Sequence, residues 1–309
     1  MPREFDPVSL RLFVAICEEG HIARAAQREA LVPSALSKRL AALEAQVGTA
    51  LLRRARRGVE PTAAGHALLR QSRELLAAMA RMHAELSDFA AGVQGSVRVV
   101  ASMSALAGRL PEDVAAFLAR HEALRVTLDE RAGLAVLREL REGAADLGVV
   151  WDQALQEGDG SGLRVLAYRS DHLGVAMPPG HPLAQRERIT FADTLEHPAV
   201  GVVPGGLLDV LLRQQAARLG RPYAPRMQVA SLEAGARIVA AGLGLALLPY
   251  ESTAARPGGM GLEMRPLEEP WAVRRLVVLS REEAWLSAAA RQLAAHLAQC
   301  AATGDAPAA

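Results

Sequence analysis

The sequence predicts an α + α/β chain: a small helical N-terminal domain with a two-stranded wing, one long helix, and a larger two-lobed α/β region. Three observations predict it. Helically spaced apolar residues with short turns fill the first 50 residues and lead into an arginine-flanked glycine turn. Apolar residues then recur seven apart, from Leu68 to Phe89. Beyond Gly92 and Gly95, short β-branched runs alternate with helical ones.

At 309 residues, 50% hydrophobic, 22% charged and 4% aromatic, the chain suits about two domains and is too apolar for disorder. No stretch of about 20 apolar residues is free of charge, which argues against a membrane span or membrane partner. Met1-Pro2-Arg3-Glu4-Phe5-Asp6 lacks the basic region and apolar core of a signal peptide, so a cytoplasmic location is expected. Cys17 and Cys300 are too few for a disulfide framework and lack metal-ligand spacing. Cys17 is expected as a buried core thiol. Net charge is only +1, but its distribution is uneven. Between positions 34 and 57 lie Lys38, Arg39, Arg53, Arg54, Arg56 and Arg57, with Glu44 the only acid. That excess fits a phosphate-facing patch; charge alone fits a solvated surface equally well.

Val8, Leu12, Phe13, Ile16 and Cys17 share one face of a first helix that Gly20 stops. A second short helix fits Ile22 to Ala30, with Ala25 and Ala26 small enough for close packing. Pro33 opens a third, which buries Ala35, Leu36, Leu40 and Leu43, presents Ser34, Ser37 and Lys38, and ends at Gly48. Two short helices joined by a tight turn, the second carrying small polar and basic residues, form a helix-turn-helix suited to the DNA major groove. Leu51-Leu52 then starts a strand, and Arg53-Arg54-Ala55-Arg56-Arg57-Gly58 turns as a β-wing over phosphates.

Residues 9–66 resemble the winged helix-turn-helix of LysR-type transcriptional regulators. The resemblance rests on Leu12-Phe13, Ala25-Ala26, Ala35-Leu36-Ser37-Lys38-Arg39-Leu40, Ala42-Leu43-Glu44, Gly48, Leu51-Leu52-Arg53-Arg54 and Pro61-Thr62-Ala63-Ala64-Gly65. Val32-Pro33-Ser34 stands where the family usually has Ser-Gln-Pro or Ser-Gln-Ser, so the family's glutamine contact cannot be copied onto Pro33. Expected DNA contacts are Arg24, Ser34, Ser37, Lys38, Arg39, Arg53, Arg54, Arg56 and Arg57.

Thr62 suits the N-cap of a long helix through about Ala90. Leu68, Leu75, Met82 and Phe89, with Met79 and Leu86 interleaved, form a coiled-coil seam in which Ser72 is the one polar residue. A homodimer is expected, because two-fold symmetry reads a near-palindromic site. The resemblance implies the same helix as dimer interface, assembly to homotetramers, double-stranded DNA as partner and contact with RNA polymerase.

The remainder reads as a mostly parallel α/β sheet with strands near 97–101, 125–130, 146–151, 172–177, 199–203, 227–230, 245–248 and 274–280. Helices are expected at 110–120, 135–141, 207–219, 232–241 and 284–299. Pro178-Pro179-Gly180-His181-Pro182-Leu183 and the run from Val239 to Pro249 resemble signatures of the same family's periplasmic-binding-protein-like effector domain. Expected domains are therefore 1–66, DNA-binding; 67–92, linker helix; 93–300, effector-binding; and 301–309, a disordered tail. Lobe I takes about 93–164 and 268–300, lobe II about 165–267.

Ligands of open α/β sheets sit beyond the carboxyl ends of strands. That rule nominates Ser102, Met103, Ser104, Glu130, Arg131, Trp151, Pro204, Gly205, Gly206 and Ser231 for a small organic effector, with a carboxylate-bearing or otherwise polar molecule as the default. Each has a plainer role: the serines as helix caps, the glycines as a turn, Glu130 and Arg131 solvated, Trp151 as lobe core. No Gly-x-Ser-x-Gly elbow, Walker loop, His-Glu-x-x-His or Cys-x-x-Cys is present, and the eight histidines are scattered. A ligand-responsive, non-enzymatic DNA-binding regulator without cofactor or metal is expected. A constitutive regulator, or a cytosolic enzyme on the same two-lobed fold, are the alternatives.

Overall fold

The computed structural model describes residues 4–55, 58–90, 95–158, 160–254 and 261–304. They form two compact units that divide near residue 92. In the first, α1 spans Pro7–Glu19, α2 Ile22–Arg28 and α3 Pro33–Val47. Asp6 starts α1 by accepting the Val8 and Ser9 amides, each at 3.1 Å. Gly20 and Gly48 stop α1 and α3 in the left-handed region that favours glycine. Leu12, Ile16, Ala25, Ala26 and Leu36 are buried together, and Leu10, Phe13, Leu43 and Leu51 form the adjoining cluster. Val8, expected inward, is exposed; Leu10 takes the buried position instead. Helix α2 ends two residues before Ala30, where the Leu31 amide turns back to the Ala26 carbonyl at 2.8 Å.

The wing pairs β1 (Leu52–Ala55) antiparallel with β2 (Gly58–Pro61). Its root is tied down by Glu44, whose carboxylate accepts the Leu51 and Leu52 amides at 2.8 and 3.2 Å. Thr62 caps α4 (Ala63–Ala90): its hydroxyl donates to the Ala50 carbonyl at 2.8 Å and accepts the Gly65 amide at 3.0 Å. Gly65 is required here, since a Cβ would stand 2.0 Å from the Leu51 carbonyl oxygen.

Along α4 the expected seam divides. Leu68 is half-buried against Leu10, Phe13, Leu43 and Leu51 of the domain's own core. Ser72 is buried, and its hydroxyl has no partner among the described residues. Met79 is half-buried. Leu75, Met82 and Leu86 are 44%, 51% and 61% exposed, an apolar stripe without a cover among the described residues. The side chain of Phe89 lies outside the described residues.

The second unit begins with β3 (Gly95–Ala101), β4 (Leu124–Glu130) and β5 (Leu147–Trp151), where β3 runs parallel to both others. Between them lie α5 (Met103–Ala107), α6 (Leu110–Leu118) and α7 (Gly133–Arg141). Helix α5 was not expected; it is a single turn or so, ended by Gly108. After α8 (Gln153–Glu157), β6 runs unbroken from Arg164 to Met177. There follow α9 (Phe191–Thr194), β7 (Val200–Val202), α10 (Leu207–Arg218), β8 (Met227–Val229) and α11 (Leu232–Ala240). The chain returns through β9 (Ala246–Pro249), α12 (Tyr250–Ala254), β10 (Glu263–Pro266), β11 (Val273–Ser280) and α13 (Ala288–Gly304).

The main sheet has strand order β10-β6-β11-β5-β3-β4, with β9 also paired to β6. It is mixed rather than mostly parallel. Strand β11 returns antiparallel between β5 and β6, and β6 pairs antiparallel with β9 and β10. The reason is topological: β6 and β11 carry the chain between lobes in opposite directions. The expected lobe change at 164/165 therefore falls inside a continuous strand. Lobe I packs Val97, Val99, Phe117, Leu147, Val149 and Leu293 together; lobe II packs Leu173, Val175, Phe191, Leu212 and Leu247. Helix α13 continues through Gly304, four residues into the expected disordered tail; residues 305–309 lie outside the described residues.

Candidate functional site

On the N-terminal unit, α3 presents Ser34, Ser37, Lys38 and Arg39 to solvent, and the wing presents Arg53 and Arg54. Three expected cations already have partners. Arg39 reaches the Asp6 carboxylate at 3.1 Å, Arg53 pairs with its cross-strand neighbour Glu60 at 2.9 Å, and Arg24 bonds the Glu19 carbonyl. Lys38 and Arg54 have no ion pair among the described residues. Exposed pairs of this kind contribute little to stability. Arg56 and Arg57 lie outside the described residues. Glu44, the lone acid of the basic stretch, is spent on the wing's backbone. Cys17 is half-buried, and burial pushes its thiol up to about 11, as suits a core position.

The second unit holds a cavity of about 510 Å³. Its wall gathers the carboxyl ends of β3, β4 and β5 from lobe I, and the loops after β7 and β8 from lobe II. Of the ten expected effector residues, Ser102, Met103, Ser104, Glu130, Arg131, Trp151, Gly205 and Gly206 line it; Pro204 and Ser231 do not. Ser231 takes its plainer role, its hydroxyl accepting the Ala234 amide at the start of α11. Ser102 does not: it occupies the N-cap position of α5 without bonding an amide, and its hydroxyl lies 3.3 Å from that of Ser104.

The loop after β7 is held in a strained shape. Val203, a β-branched residue, has φ 53°. Its amide is bound to the Val229 carbonyl at 2.7 Å, and its carbonyl accepts the Gly206 amide at 2.9 Å. The Gly205 amide donates to the buried Asp209 carboxylate at 3.0 Å. These two glycines thus have their amides committed inside the protein.

Arg274 was missed by the sequence reading and forms part of the wall. It is 2% exposed, lies 5.7 Å from the Trp151 ring centre, and holds Asp171 bidentately, with Nε to Oδ1 at 2.6 Å. Burial pushes the Asp171 carboxyl up, and the Arg274 charge opposes that push. The signal was present: Arg274 shares its period-2 face with Leu276 and Val278, so it had to point inward and find an anion. Leu134, Val202, Leu207 and Leu232 also line the cavity; apolar walls carry no mark in sequence that separates them from core.

At the bulge in β6, Tyr168 and Arg169 both reach Asp113 of α6: the phenol at 2.5 Å, the guanidinium at 2.7 and 2.9 Å. Burial raises the Asp113 carboxyl, but the bonds from Arg169 and Tyr168 outweigh it and leave it below its ordinary value.

The geometry defines a class: a winged helix-turn-helix unit joined to a two-lobed ligand-domain fold. Residues 8–66 match the bacterial regulatory helix-turn-helix of the lysR family, and 90–301 match the LysR substrate binding domain. The chain belongs to the LysR family of transcriptional regulators. It is 30% identical to the HTH-type transcriptional regulator YnfL of Escherichia coli, over 93% of this chain and 96% of that one. It is 29% identical to the "Probable hydrogen peroxide-inducible genes activator" of Mycobacterium leprae, over 92% and 91%. The fold matches full-length CbnR in complex with its target DNA at TM-score 0.65 and 21% identity, covering 96% of this chain and all of that one (100%). No described helix is long and apolar enough to cross a membrane.

Proposed function

We propose that this protein is a sequence-specific, non-enzymatic DNA-binding regulator whose activity is set by a small organic effector held between the two lobes. The observation that carries the reading is the cavity, walled from both lobes, in a chain whose other unit exposes Ser34, Ser37 and Lys38 on one helix. It works in the cytoplasm as a homodimer through Leu75, Met79, Met82, Leu86 and Phe89, and pairs of dimers form a homotetramer that meets RNA polymerase. The effector acts by binding one lobe geometry better than the other; its differential affinity is the whole of the coupling. The domain limits read from sequence stand as part of this proposal: 1–66, 67–92 and 93–300.

The DNA half is tested by selecting bound genomic fragments with purified protein and titrating the best one in salt. Arg54→Ala should lower the slope of log affinity against log salt by about 0.9, and Arg56→Ala with Arg57→Ala by about twice that. Arg53→Ala should lower it less, because Glu60 already offsets that charge. Unchanged slopes would remove the wing from the interface. For the effector half, Ser104→Ala should blunt the response to a ligand while leaving unliganded DNA binding intact.

A further inference from the structure

We propose that the interlobe cavity takes an uncharged, largely aromatic molecule with a single hydrogen-bonding end, and discriminates against carboxylates and other anions. This rests on the cavity being the effector site and goes beyond it by naming the ligand's chemistry. It also departs from the carboxylate-bearing or otherwise polar molecule taken as the default from sequence.

Every cation in the wall is already neutralised. Arg274 is held bidentately by Asp171 and is almost fully buried. Arg131 gives Nε to Glu139 at 2.6 Å and Nη1 to the Glu130 carbonyl at 2.8 Å, with Asp129 3.8 Å away. Three backbone donors at the wall are committed as well. Gly205 donates to Asp209, Gly206 to the Val203 carbonyl, and Ser102 to the Val149 carbonyl. The one charge in the wall without a partner among the described residues is the Glu130 carboxylate. An entering anion would lose its water, meet no free cation and face a like charge.

An uncharged molecule meets a different surface. Met103, Leu134, Val202, Leu207 and Leu232 offer apolar walls, and Trp151 an aromatic one. The Ser102 and Ser104 hydroxyls form one polar spot that can donate or accept. A volume of about 510 Å³ suits a single small organic molecule.

The test uses two fluorescent probes with one skeleton, neutral N-phenyl-1-naphthylamine and sulfonated 8-anilino-1-naphthalenesulfonate, titrated into the full-length protein. The neutral probe should bind at least about tenfold more tightly than the sulfonated one. Ala132→Trp, which fills the cavity from an exposed wall position, should abolish neutral-probe binding with circular dichroism and DNA binding unchanged. Glu130→Gln should raise affinity for the sulfonated probe at least about threefold. If the sulfonated probe binds as well or better and Ala132→Trp removes it, the ligand class is wrong while the cavity remains a binding site. If neither probe binds, or neither responds to Ala132→Trp, the cavity reading falls and this proposal falls with it.

Discussion

Arg274 and Asp171 face each other in the β6–β11 register and close a bidentate ion pair at the wall of the cavity, with Arg274 only 2% exposed. The pair joins the two strands at the residues where β6 leaves β11 for β9. Removing one partner leaves the other charge buried and alone. Asp171→Ala should therefore cost about 3–5 kcal/mol, measured by urea denaturation of the full chain. Arg274→Met with Asp171→Leu should recover most of that loss, since an apolar pair needs no counter-charge. A double variant no more stable than the single would mean that the strands need the ion pair's geometry itself.

Asp113 gives a pH-dependent contribution. Its folded carboxyl lies below its ordinary value of 3.8, so its bonds to Arg169 and Tyr168 stabilise the fold above that value. The contribution is lost as pH falls through the folded value. Asp113→Asn should cost about 2–3 kcal/mol at pH 7 and progressively less as the solution is acidified below about 4. A gap between variant and parent that is constant from pH 7 to pH 3 would refute this assignment.

Glu44 holds the root of the wing. Its carboxylate fixes the amides that begin the wing, at 2.8 and 3.2 Å. Glu44→Ala should destabilise the N-terminal unit by about 1.5–3 kcal/mol and weaken DNA binding, even though it removes a negative charge from a basic stretch. Stronger DNA binding in the variant would show that charge outweighs wing geometry.

The exposed stripe on α4 is the proposed dimer seam. Met82→Glu with Leu86→Glu should weaken self-association on the order of 100-fold or more, read by sedimentation velocity, because each side chain loses about 1.5–3 kcal/mol of apolar burial. An unshifted association constant would assign the stripe to another partner.

Local rules made much of this protein legible. Gly20, Gly48, Pro33 and Thr62 mark helix ends because backbone sterics and capping act within a few residues. The arginine wing and the strand-end serines follow from short-range pattern in the same way. The family signature at Pro61–Gly65 acquires its physical cause only in three dimensions, where Gly65 lets the Leu51 carbonyl approach. Leu68 looked like one more seam residue, since heptad spacing does not say which neighbour covers a face.

What the sequence by itself determined was the order of most elements, the DNA-binding motif and the strand ends that line the cavity. Tertiary structure decided the mixed sheet, because only long-range pairing reveals that β11 returns antiparallel between β5 and β6. It also decided the charge of the cavity. Arg131, Gly205 and Gly206 read as ligand-site residues along the chain; Glu139, Asp209 and the Val203 carbonyl, brought up by the fold, occupy them first, as Asp171 occupies Arg274, which the sequence did not nominate. Electrostatic and hydrogen-bond partners are chosen by distance in space, and sequence spacing does not encode it.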